Sequence, residues 1–280
     1  MTYRDYANGP YGQVHFQDTG TPGFQNTGTP GSQNGIPLVL CHQAPMSLRQ
    51  FDSVYELLAE KGIRAIGFDL PGFGGSDATD FVPTIEDYAR VVPAVLDHLK
   101  IDSAFVLGHH TGAQVATEVA LQFPDRVRGV ILNGPLPMTA AERDAGLAYV
   151  EEHEKGYTPR ADGTHLLDLF KNRMAYGHDE TDWRLATRYI AEQVIGRGPF
   201  WYGHHAAFQY DQAKTIPLIT HPTLVLTNTG DSIYDKAQDT MKLRPDFAYA
   251  EIEGGTIDIV DEKPQEWVEA VAAFVLSFEK

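Results

Sequence analysis

Phe105-Val106-Leu107-Gly108-His109-His110-Thr111-Gly112-Ala113 is the stretch that decides the fold. An apolar run of strand length enters Gly-x-x-x-Gly and continues, from Gly112, into a helical pattern that stops at Pro124. The first residues of that helix are small, so it can pack closely on whatever lies beneath it.

Outward from this turn, short apolar strands alternate with helices. Strands are expected over 36–41, 64–69, 103–108 and 127–133, and helices over 51–61, from Thr84 towards Lys100, and over 112–123. Thr84 with Asp87 has the spacing of a capping box, and Gly62 stops the helix before it. Such alternation predicts a mostly parallel sheet covered by helices on both faces. Between about Leu136 and Ile216 the rhythm breaks into helical segments rich in aromatic and histidine residues, among them Tyr176, His178, Trp201, His204 and His205. Strands resume at 223–227 and 247–252, and a helix over 264–278 follows. The expected organisation is an α/β core of residues 1–135 and 217–280, with a helical cap, 136–216, inserted after the sixth of eight strands. Residues 12–18 alternate as a strand, and the tandem repeat TGTPGFQN–TGTPGSQN from Thr19 to Asn34 reads as a lengthened surface loop without chemistry.

The formal net charge of −16 repels phosphate backbones and anionic membranes, which excludes nucleic acid as the expected partner. The single cysteine, Cys41, can form neither an intrachain disulfide nor a cysteine-built metal site, and it reads as a small apolar residue ending a buried strand. Residues 1–5 lack the pattern of a signal peptide, and the apolar runs are too short to span a membrane. The expectation is a cytoplasmic protein acting on a small molecule, with no cofactor and no membrane contact; a homodimer is left open.

The segment Gly108–Gly112 resembles the nucleophile elbow of the α/β-hydrolases, G-x-S-x-G, in which flanking glycines allow a tight strand-to-helix turn. Two other segments carry the same resemblance in order and spacing. Asp69-Leu70-Pro71-Gly72-Phe73-Gly74-Gly75-Ser76 is similar to the family's D-x-x-G-x-G-x-S turn, and Leu40-Cys41-His42-Gln43 stands where the family has its His-Gly oxyanion loop. The chain looks most similar to capped members with a His-Gln loop and a Gly-His-His-Thr-Gly elbow. The resemblance implies a strained central residue and backbone oxyanion donors at Gln43 and Thr111. Asp231 matches the family's acid.

The departures are as informative. His110 occupies the nucleophile position, and Ile257, or Thr256 with a one-residue slip, occupies the position of the base histidine. A Ser–His–Asp acyl-enzyme mechanism is therefore unavailable. The resemblance with these changes implies that His110, oriented by Asp231, is a general base that activates water against a small apolar or aromatic ester, lactone or diketone. Two alternatives stay open: a cofactor-free lyase or dioxygenase in which His110 deprotonates the substrate, and an inactive ligand-binding protein. His42, His109, Ile257, Trp201 and His204 are expected to line the site, although His42 and His109 can equally be structural histidines and most cap aromatics can be the cap's own core. No metal is expected: His42, His109, His110 and Asp231 are ligand types, but no pair has the i, i+4 spacing of a metal motif. Arg173 and Arg188 are anion-binding candidates, with placement on a helix surface the plainer reading.

Overall fold

The computed structural model describes residues 2–20, 35–174 and 183–278. Most of the tandem repeat, with Tyr176 and His178, lies outside the described residues. Eight strands form one sheet: β1 Tyr3–Gly9, β2 Gly12–Asp18, β3 Ile36–Cys41, β4 Ile63–Phe68, β5 Ala104–His109, β6 Val127–Asn133, β7 Thr223–Asn228 and β8 Ala248–Ile252. Their order is β1-β2-β4-β3-β5-β6-β7-β8. β2 is antiparallel to both its neighbours, and every pairing from β4 through β8 is parallel.

The central strands are buried along their whole length, as expected of strands with helices on both faces. β5 shows how one strand feeds two cores. Ala104 and Val106 join Val39, Ile66 and Val130 beneath the helix Thr111–Gln122, while Phe105 and Leu107 join Leu38, Leu40 and Trp267 on the other face. The second face is closed by the helices Tyr55–Glu60 and Pro264–Leu276.

The structure departs from the sequence reading in places. β1 was not expected, since its burial is confined largely to Ala7 and its pattern is mostly polar. The helix opened by Thr84 does carry its capping box, but it divides at Arg90 into Ile85–Ala89 and Val91–His98. Pro93 explains the break, because it has no N–H to give Ala89 and its ring crowds that carbonyl.

Between β6 and β7 the described chain is helical: Ala140–Tyr149, a π-helical turn Val150–Glu154, Thr164–Met174, Trp183–Ile195, Trp201–Gln209 and Gln212–Thr215. These helices are fastened to the strand-end loops by buried polar contacts. Arg173 pairs with Asp258, Arg188 Nη2 lies 2.6 Å from Asp261 Oδ2, and Tyr189 donates its hydroxyl to the same carboxylate at 2.9 Å. Ser47 Oγ donates to Glu192 at 2.8 Å. Arg173 and Arg188, anion candidates in the sequence, thus spend their charge on carboxylates of this chain. Among the described residues no helix is long and apolar enough to cross a membrane.

Removing one partner of a shielded ion pair strands the other charge. Arg188→Met is expected to lower stability by about 3 kcal/mol in urea unfolding, because Asp261 and Glu192 both lose their guanidinium.

Candidate active site

His110 stands alone between the end of β5 and the helix Thr111–Gln122, at φ 50° and ψ −111°. A positive φ is costly for a residue with a Cβ, and the surroundings hold it there. Its N–H donates to Asn133 O at 2.9 Å, and its carbonyl accepts from Ala113 N at 2.8 Å. A Cβ on Gly108 would sit 1.8 Å from Gly112 O, and one on Gly112 would sit 2.0 Å from Cys41 O. The turn therefore closes only with glycine at both positions. Gly134 does similar service beyond β6: a Cβ there would lie 2.5 Å from His110 Cδ2, in the volume the imidazole occupies.

The His110 ring meets the loop after β7. Its Nε2 lies 2.7 Å from Asp231 Oδ2. Asp231 Oδ1 accepts from Ile233 N at 3.0 Å. Burial works against the Asp231 carboxylate, yet the adjacent imidazole and the Ile233 amide outweigh it and hold the group at about 2. An ionised carboxylate only accepts hydrogen bonds, so His110 Nε2 carries the proton. Its lone pair is then on Nδ1, which has no hydrogen-bond partner among the described residues.

Two neighbouring histidines are fixed in the same way. His42 Nε2 accepts from Leu70 N at 3.0 Å, so its proton is on Nδ1, which donates to Gln43 O at 2.8 Å. Both nitrogens are used, and burial lowers its pKa, so His42 is a neutral brace for the loop. Gln43 N donates to Gln50 Oε1 at 2.8 Å. That obligate donor orients the Gln50 amide, whose Nε2 then donates to His109 Nδ1. His109 must therefore be protonated on Nε2, and that N–H is buried with no acceptor among the described residues. Burial, and then the neighbouring His110, push its pKa well below the usual histidine range.

The other expected site residues divide. Thr111, buried, begins the helix, so its N–H has no carbonyl one turn back to bond. Gln43 differs from the expectation, because the amide assigned to the oxyanion hole is already paired with Gln50. His204 bridges Glu154 (2.7 Å) and Ala44 O (3.1 Å), beside the Gln43 loop. Burial opposes its charged form, but the Glu154 carboxylate raises its pKa. Trp201 makes ring contacts to Tyr202 and His205, with Lys155 Nζ 5.2 Å above it, all within the β6–β7 helices. Ile257 is half-buried on the loop after β8. Thr256, its alternative, spends its hydroxyl on Glu262 and Asp258 N.

A ring nitrogen of His109, one of His110 and an oxygen of Asp231 lie within 4.8 Å of one another, a spacing that invites a metal. With no ion bound, His109 Nδ1 accepts from Gln50, and His109 Nε2 and His110 Nε2 carry protons, so a metal held here would have to displace those protons. Sequence reading missed Gln50 and Gly134. Neither carries a motif; each matters only through what the fold sets against it.

Over residues 36–255 the sequence matches the α/β hydrolase fold family, and the chain belongs to that family. Haloalkane dehalogenase 2 of Mycobacterium tuberculosis (strain ATCC 25618 / H37Rv) is 31% identical over 122 residues, 43% of this chain and 38% of that protein. Bifunctional epoxide hydrolase 2 of Mus musculus is 34% identical over 108 residues, 36% of this chain and 19% of that protein. The matched stretches thus span less than half of either relative. Among solved structures, the enol-lactonase from Burkholderia xenovorans LB400 is similar with a TM-score of 0.79 at 18% identity, covering 97% of this chain and 99% of that one, a likeness of fold.

Asp231 makes the acid limb of stability predictable. Unfolded, the carboxyl takes its proton near 3.8; folded, it keeps its charge to about 2. Its contribution is therefore complete above about 4 and lost as pH falls towards 2. In Asp231→Asn that loss is absent, and urea midpoints between pH 5 and pH 2 should fall less steeply than in the unaltered chain.

Proposed function

We propose that this chain is a hydrolase of small apolar or aromatic carbonyl compounds (esters, lactones or diketones) in which His110 activates water for direct attack. The observation that carries the reading is the 2.7 Å contact between His110 Nε2 and Asp231 Oδ2, which leaves Nδ1 as the open base. The family's serine at the turn is replaced by the longer histidine side chain, and its base histidine by Ile257, so one imidazole occupies the ground of two residues.

Water's proton passes to His110 Nδ1 while its oxygen bonds to the carbonyl carbon. Asp231 stabilises the imidazolium that forms, and the proton then goes to the leaving oxygen or carbon as the scissile bond breaks. The Thr111 N–H, free at the helix start, is the donor suited to the developing oxyanion; the Gln43 N–H joins it only if Gln50 lets go. The dehalogenase, epoxide hydrolase and enol-lactonase named above support hydrolysis of a small molecule and not one substrate.

Turnover of p-nitrophenyl esters, aryl lactones and β-diketones in ¹⁸O-water tests the proposal. Label should enter the product acid, and His110→Gln should lower kcat by about 10³-fold. A serine-directed phosphonate should leave the protein unlabelled. Full activity in His110→Gln, or oxygen drawn from dioxygen instead of water, overturns the reading.

A further inference from the structure

We propose that His204 and Glu154 share two protons as a latch between the β6–β7 helices and the loop after β3, and that losing one of them as pH rises opens the latch. The inference does not depend on the reading of His110 as a base. It starts from what the two ring nitrogens face. His204 Nδ1 lies 2.7 Å from Glu154 Oε1, and its Nε2 lies 3.1 Å from Ala44 O. A carbonyl oxygen only accepts, so Nε2 carries a proton. The contact with Glu154 needs a proton too, whether it sits on Nδ1 or on the carboxyl. The pair therefore holds two. With one removed, a ring lone pair faces either the carboxylate or the carbonyl, and one of the two contacts is lost.

The charges around the ring leave this proton to Glu154. The loop brings only the Ala44 carbonyl. Beside the π-helical turn, Lys155 Nζ pairs with Glu151 at 2.9 Å. On the helix Trp201–Gln209 itself, His205 packs on Trp201, and the Phe208 ring stands 6.2 Å from His204. Glu154 is buried, and its Oε2 has no hydrogen-bond partner among the described residues, so compensating the carboxylate falls to His204. Burial opposes the imidazolium, yet Glu154 raises its pKa above the ordinary 6.5. A raised value means that the latch is complete below 6.5 and is lost as pH climbs past the value His204 has in the folded chain.

The latch sits where helix and loop come closest. A Cβ on Gly203 would lie 2.3 Å from Ala44 Cβ. Further along, Gln114 Nε2 donates to Ala207 O at 3.1 Å and fastens the same helix to the core. The His204 contact thus governs the first turn of Trp201–Gln209, while its far end stays held. Because Ala44 follows Gln43, the latch also sets the loop that carries the Gln43 amide.

The test follows hydrogen exchange of the full chain by mass spectrometry from pH 6 to 9.5, with rates corrected for the pH dependence of free-chain exchange. Spectra of ¹⁵N-histidine follow His204 over the same range. Protection over 150–155 and 201–206 should fall about tenfold as His204 titrates, the loss of one charge-assisted hydrogen bond. Glu154→Gln offers an amide N–H to Nδ1 while a neutral His204 still donates to Ala44, so protection should stay high throughout. His204→Gln has one donor nitrogen for two acceptors set apart, so protection should be low and flat. A His204 that titrates below 6.5, protection unchanged through its titration, or an alkaline fall that persists in Glu154→Gln overturns the proposal. None of these signals depends on turnover, so the hydrolase reading stands or falls separately.

Discussion

A backbone turn with no room for a Cβ on either side is the constraint from which the rest of the site follows. Gly108 and Gly112 let β5 reverse into its helix, and the one side chain that the turn projects is that of His110. The same turn ties the sheet together. The His110 N–H bonds to Asn133 O, carrying β5 onto the end of β6, and Asn133 Oδ1 accepts from Trp267 Nε1 at 2.7 Å on the opposite face. A strained residue is thus buttressed by packing on both sides of the sheet, which is what a positive φ on a non-glycine residue requires.

Around the turn, groups that cannot change their role dictate those that can. Leu70 N–H sets the tautomer of His42. Gln43 N–H sets Gln50, and Gln50 sets His109. The Asp231 carboxylate sets His110. Imidazole is ambiguous by itself, since either nitrogen can hold the proton. Here each ambiguity is resolved by a neighbour within hydrogen-bond reach, in a low-dielectric interior where a wrong assignment would be expensive. The result is three adjacent histidines, of which one has an open lone pair.

Much of this was legible in the sequence. The strand–Gly-x-x-x-Gly–helix pattern gave the tight strand-to-helix turn, and the alternation of apolar runs gave the parallel sheet, because both depend on local residue spacing. The resemblance picked out Asp231, and the reach of an imidazole set on the turn suggested its pairing with His110 across 121 positions, which no periodicity conveys. Other features were illegible for the same reason. Gln50 lies in a 3-10 turn, Leu48–Phe51, where the sequence reads as the approach to a helix, and its importance exists only once β5 brings His109 alongside. Arg173 and Arg188 looked like free charges until the fold placed Asp258 and Asp261 opposite them. β1 escaped because its polar alternation resembles a loop, and pairing with β2 is what makes it a strand.

The order in which the sheet is laid down gives the His110–Asp231 contact a kinetic meaning. The elbow is a local object: β5, the turn and its helix follow one another directly, and loops of that length close quickly. Asp231 comes into place only after the chain between β6 and β7 has been made and β7 has docked beside β6. Pairings across so many residues are slow steps of folding. A chain emerging during synthesis therefore carries a complete elbow with an unpaired imidazole for some time. His110 meets the Asp231 carboxylate only near the end of assembly, so this contact and the completed sheet are reached together.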